Sequence, residues 1–400
     1  MTRMAGTESK PEVGRRFDVD WLRVLAMLTI FLFHNARFFD DGGWHVKNNQ
    51  IDFGMTVFTN VVGQWVMPLF FVLSAISAYY ALRGRGNNRF LLDRFKRLVI
   101  PLVFGIFFLI PPQVYIERVT HGQFTGSFFD FLPHYFDGWY AFGGNFAWMG
   151  LHLWYLEMLF LFSLLTLPLF RYLAGAGRNL ASRPASIARI PGVIFLGGAV
   201  PIAVIEMIVN LQPNGIGIRD FGGWSPLTYL VIFLLGYIIA LDPQFRQTIE
   251  KQRVLALVLA ILATLSGFIY ITAGNSDRTL VFSVIRGVNT SAWVIAILGF
   301  GSKYLNFNNA VLKYAGEAVL PFYILHQSVI VIIGFFIARW DATVMVKYLG
   351  MSSMAFVIIM GLYEFVVKRN QVLRFLFGMK LARAQIRTPE VTLEKNSTAT

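Results

Sequence analysis

Ten stretches of this chain are apolar for roughly the 17–25 residues that a helix needs to cross a hydrocarbon layer. They run over 17–39, 54–81, 98–116, 150–172, 192–211, 225–241, 254–273, 283–301, 315–338 and 343–367. The second is long enough to tilt or to extend past the bilayer. The signal is weakest at 225–241 and at 283–301, where Arg286 and several polar residues open the run. The pattern predicts an all-α fold, a polytopic membrane helix bundle of about ten transmembrane helices. Composition agrees: 56% of residues are hydrophobic and only 14% charged, against about 25% charged in soluble domains. One soluble core could not hide that much apolar surface.

The net charge of +13 would suggest nucleic acid in a soluble protein, but its placement fits a membrane instead. With Arg171 at the end of the fourth run counted, the N-terminus, the even-numbered junctions and the C-terminal tail hold 26 Lys and Arg, while the odd-numbered junctions hold five: Lys47, Arg118, Arg219, Arg278 and Arg339. Positive residues collect on the cytoplasmic side, so both termini are expected inside and no nucleic-acid partner is expected. The first apolar run is too long for a signal peptide and lacks a cleavage site. The expected organisation is a cytoplasmic N-terminal segment (1–16), a membrane domain (17–370) and a basic, then disordered, cytoplasmic tail (371–400). No internal repeat is visible. With no Cys in the chain, disulfides, thiolate metal sites and a cysteine nucleophile are excluded. No GxxxxGK[ST], GxGxxG or HExxH pattern supports nucleotide, dinucleotide or zinc chemistry.

Ionisable side chains within apolar runs are costly and are functional candidates by default. Arg23 and His34 stand eleven residues apart, about 20° beyond three full helical turns, so they share one face about 16 Å apart along the axis. They form a polar stripe reaching from the inner end into the membrane. His34 can accept a proton near neutral pH, though an interior histidine can also be a satisfied packing residue. Arg94 and Arg97, three apart at the entry to the third run, share a helix face and could grip a phosphate together. His152, Glu157, Glu206 and His326 are further candidates, for each of which structural hydrogen bonding is the competing reading. Glu157 falls near the depth of His34 and could orient it. Glu364 beside Lys368 and Arg369 reads as an interfacial ion pair, and Ser74 receives no nucleophile role. The segment 117–149 is external, long and aromatic, suited to capping the outer mouth and holding a sugar or to anchoring at the interface.

Five segments together resemble the acyltransferase-3 superfamily of membrane acyltransferases: DWLRVLAMLTIFLFH, PLFFVLSAISAYY, DRFKRLVIP, HLWYLEMLFL and LPFYILHQSVIV. They fall in the family's order over about 17–370. Trp44–Val46 (WHV) resembles a branch associated with succinyl decoration of periplasmic glucans, a pointer to acceptor class. The chain departs from the family at Ser74-Ala75-Ile76, where Ser-Gly-aromatic is usual, and lacks the Trp-Ser-Leu-x-x-Glu-Glu pattern, so Glu157 matches no family residue. The resemblance implies an enzyme of the inner (cytoplasmic) membrane that moves an acetyl or succinyl group from cytoplasmic acyl-CoA to a carbohydrate hydroxyl. Arg94 and Arg97 would bind the donor phosphates, and Arg23 would attract the donor or stabilise charge. His34 would be general base or acyl carrier. The partners implied are acyl-CoA, a carbohydrate acceptor and the lipid bilayer; no permanently bound cofactor or metal is implied. A secondary transporter of a carbohydrate-like substrate, and a membrane scaffold or receptor, remain open on the residues alone.

Overall fold

The computed structural model describes residues 15–177, 185–190 and 192–381. Residues 1–14 and 382–400, which contain most of the expected N-terminal segment and the polar tail, lie outside the described residues.

In chain order the helices are α1 (Phe17–Ala36), α2 (Phe53–Gly63), α3 (Val66–Arg83), α4 (Asn87–Arg94), α5 (Ile100–Phe108), α6 (Pro111–Thr120), α7 (Phe128–His134), α8 (Trp154–Leu165) and α9 (Leu167–Ala174). There follow α10 (Val193–Asn210), α11 (Pro226–Leu241), α12 (Pro243–Lys251), α13 (Arg253–Thr272), α14 (Leu280–Tyr304), α15 (Ala310–Ile337), α16 (Val344–Gly361) and α17 (Gln371–Leu376). π-helical turns at Phe95–Val99 and Leu362–Val367 join α4 to α5 and extend α16. Among the described residues no strand forms; Trp139–Phe146 and Phe221–Trp224 are isolated bridges.

Among the described residues six helices are long and apolar enough to cross a membrane, and nine spans result if each bent pair is one. These match nine of the ten apolar runs. The remaining run, the first, is α1, outside that count, whose first two turns carry Asp18, Asp20 and Arg23. The bends have local causes. The helix begun at Asn87, earlier than the expected 98, turns by 42° before Pro111, and the α8–α9 pair turns by 55° where Pro168 enters the first turn of α9. The break at Pro243 is 102°, which turns α12 across the end of α11.

Burial separates lipid-facing from central helices. α13 buries only Ala256, Ala260 and Ala263, a small-residue stripe that lets it pack closely on α14. Its Val254, Val258, Leu262, Leu265 and Ile269 are exposed, a contiguous apolar face suited to lipid rather than water. The chain is a multi-pass membrane protein. α3 is buried along nearly its whole length and packs against α11. A Cβ on Gly236 would stand 2.8 Å from the Val72 Cα, so glycine there permits the close crossing.

Arg286, which weakened the eighth run, is buried in α14 against Glu206 (3.3 Å) and the Gly223 carbonyl, with its guanidinium 3.6 Å from the Trp224 ring centre. A buried charge is tolerable when paired in this way. The segment 117–149 is ordered by α7 and by Arg118, which donates to Asn145 Oδ1 (2.8 Å) and the Gly144 carbonyl (2.7 Å). Ser127 caps α7, and its hydrogen bonds hold the Asp130 carboxyl below the usual carboxylate range.

Candidate active site

α1 and α15 pack together and bring His34 and His326 into contact, His34 Nδ1 lying 2.8 Å from His326 Nε2 with ring planes within 5°. The proton positions follow from the partners. His326 Nδ1 faces the Tyr323 carbonyl, which only accepts, so Nδ1 carries the proton. In the neutral ring Nε2 is then an acceptor and takes the His34 Nδ1–H. The His34 Nε2 lone pair is left with no hydrogen-bond partner among the described residues. A base whose tautomer is set by a second histidine, itself oriented by a backbone carbonyl, follows the logic of an activated catalytic dyad.

His152 joins the same cluster. Its ring stands edge-on to His326 at 5.1 Å, Nε2 donates to the Ile324 carbonyl (3.2 Å), and Nδ1 is buried without a partner among the described residues. Tyr323 donates to the His152 carbonyl. Tyr155 stacks edge-on near Tyr323 (6.1 Å) and hydrogen-bonds Ser74 at 2.5 Å.

At the basic end of the bundle, Arg23 donates to Ser77 Oγ (2.6 Å) and lies 3.5 Å from Asp20. The charges of Arg97 and Arg23 both act on Arg94, and those of Arg23 and Arg94 reach Tyr155. Asp93, the nearest carboxylate in sequence, is taken by Arg85 at 2.6 Å. Arg94 rests over the Phe90 ring (5.1 Å), and neither it nor Arg97 forms an ion pair or hydrogen bond among the described residues. The π-helical turn containing Arg97 interrupts the α-helical ladder here, a distortion found often at functional sites. Mutual repulsion among three cations is stabilised most directly by an anion. A polar line therefore runs from Arg97 and Arg94 through Arg23, Ser77, Ser74, Tyr155 and Tyr323 to the three histidines.

Two sequence candidates lie elsewhere. Glu206 is fully buried with Arg219 (2.8 Å), Arg286 and Thr228 (2.6 Å), a cluster that ties α10, α11 and α14 together. Glu157 does not orient His34; its Oε2 is buried without a partner among the described residues, and His326 takes the orienting position. Glu364 pairs with Lys368 at 2.9 Å, as expected.

Sequence reasoning missed His45 and Glu117. His45 Nδ1 hydrogen-bonds Glu117 Oε2, and Glu117 also receives Tyr140 Oη (2.8 Å) and Arg118 (3.1 Å). Gln327, next to His326, reaches His45 Nε2 at 3.1 Å and Gln113 at 3.2 Å. This network joins the 117–149 segment to the histidine cluster. Its one sequence signal was an ionisable residue beside Trp44 in the loop that follows α1.

The fold and site define a helical, multi-pass membrane protein with a histidine cluster buried in its bundle and unpaired arginines at one end. A family model described as an acyltransferase domain, acyltransferase-3, matches residues 16–364, and the chain belongs to that family. It is similar to proteins named glucans biosynthesis protein C from Salmonella paratyphi A and Salmonella agona, each 24% identical over 92% of this chain and 95% of the relative. The same protein of Salmonella enteritidis is equally similar. No solved structure matches the chain.

Proposed function

We propose that this protein is an inner-membrane O-acyltransferase with ten crossings and both termini cytoplasmic. It moves an acetyl or succinyl group from cytoplasmic acyl-CoA to a hydroxyl of a glucan or related envelope glycan. The observation that carries this reading is the polar line from the unpaired Arg94 and Arg97 to the His34–His326 pair. It offers a grip for an anionic head at one end and a free imidazole lone pair at the other.

Arg94 and Arg97 hold the donor phosphates at the cytoplasmic mouth, with Arg23 drawing charge inward. The thin thiol arm reaches toward the histidines. The acceptor oxygen attacks the thioester carbonyl carbon while His34 Nε2 takes the hydroxyl proton. As the tetrahedral intermediate collapses, the C–S bond breaks and the imidazolium returns the proton to the departing thiolate. His326 keeps His34 in the reactive tautomer throughout. The family match favours acyl transfer over export of a carbohydrate, and the name of the relatives favours a glucan as acceptor.

Purified protein is incubated with radiolabelled acetyl- or succinyl-CoA and a glycan extract of its own source membrane. The reading expects label on glycan with one of the donors. Absence of label with both, in protein shown to be folded and supplied with competent acceptor, would discard it.

A further inference from the structure

We propose that the Trp44 indole N–H is the donor that receives the negative oxygen of the tetrahedral intermediate, an inference that rests on acyl transfer at His34. Trp44 Nε1 is buried and has no hydrogen-bond partner among the described residues. Buried polar groups without partners are uncommon in native proteins and call for an explanation. Among the orphaned buried donors of the described residues, this is the one whose ring contacts His34, with centroids 5.3 Å apart and planes tilted by 33°.

The indole is held from several sides. Arg37 lies over it at 5.5 Å, and the His45 ring, fixed by Glu117, meets it at 4.9 Å. The loop itself is pinned by buried Asp40, which takes Arg37 and Lys47 (2.8 Å), and by Lys47 donating to the Arg37 carbonyl (2.6 Å). A donor fixed in this way needs no reorganisation when charge develops.

The neighbouring donors are already engaged. Arg37 and Lys47 serve Asp40, Arg118 serves Glu117, and His152 Nε2–H faces the Ile324 carbonyl. The unpaired arginines belong to the opposite end of the polar line. When the acceptor oxygen bonds to the thioester carbon, the carbonyl π pair moves onto oxygen. Trp44 N–H then bonds that oxygen until the pair returns and the thiolate leaves.

The test uses the full chain with Trp44 replaced by β-(3-benzothienyl)alanine, which keeps the ring shape and exchanges N–H for sulfur; Trp44→Phe is the second variant. Three quantities are measured with labelled acetyl- or succinyl-CoA: kcat for transfer to glycan, both KM values, and donor hydrolysis without glycan, in which water replaces the acceptor. Loss of one such donor lowers rates by about 10²- to 10³-fold. The expected result is that loss in both transfer and hydrolysis, with KM values and melting temperature unchanged. A raised acceptor KM with unchanged kcat and hydrolysis overturns the proposal, as does a variant as fast as wild type. A wild-type protein that transfers nothing overturns the acyl-transfer reading and this inference with it.

Discussion

Replacing His326 with Ala removes the acceptor that holds the His34 Nδ1 proton, and the size of the effect can be worked out. The bond is 2.8 Å long, and His326 is fully buried. The bond becomes charge-assisted only as His34 takes up the acceptor proton, and a hydrogen bond to a charged group contributes about 1.5–3 kcal/mol, equivalent to about 10- to 150-fold in rate. The same change frees His34 to place its proton on Nε2, where it can no longer act as base. His326→Ala is therefore expected to lower kcat by at least that range while both KM values stay near wild type. Initial rates of label transfer from acyl-CoA, at equal amounts of folded protein, give the measurement. Adding His326→Ala to a His34→Ala background should cost nothing further, because the two side chains act as one unit. An undiminished kcat in folded His326→Ala would refute the reasoning. So would a further loss of similar size in the double variant.

Arg94→Ala should raise the donor KM by about 10-fold or more, the loss expected for a charge-assisted hydrogen bond, with a smaller change in kcat. Donor titration at fixed acceptor checks it, and an unchanged KM would remove the phosphate grip. Glu206→Ala leaves Arg219 and Arg286 buried without their shared carboxylate, which should cost about 3–5 kcal/mol of stability. Denaturation in detergent reads that loss, and the folded fraction should keep wild-type kinetics, because Glu206 stands apart from the histidines.

The periodicity of α1 made the shared face of Arg23 and His34 legible, since helix geometry alone sets the relation between residues eleven apart. The pairing of His34 with His326 was not legible, because it depends on how α1 packs against a helix 292 residues further on. Depth along the membrane suggested Glu157 as the partner of His34; depth does not specify the direction in which a side chain points. Arg286 weakened its run in hydropathy for the same reason, since its counter-charge Glu206 and the Trp224 ring it rests on come from other segments. His45 and Glu117 fall outside any periodic apolar pattern, where spacing carries no geometry. Their proximity arises when the 117–149 segment folds back over the loop that follows α1.

The most direct test of the central claim compares native protein with His34→Ala for transfer of label from acyl-CoA to glycan, at matched amounts of folded material. Label is expected on glycan with native protein and none above background with the variant. Equal labelling by both would keep the acyltransferase and contradict the role given to His34.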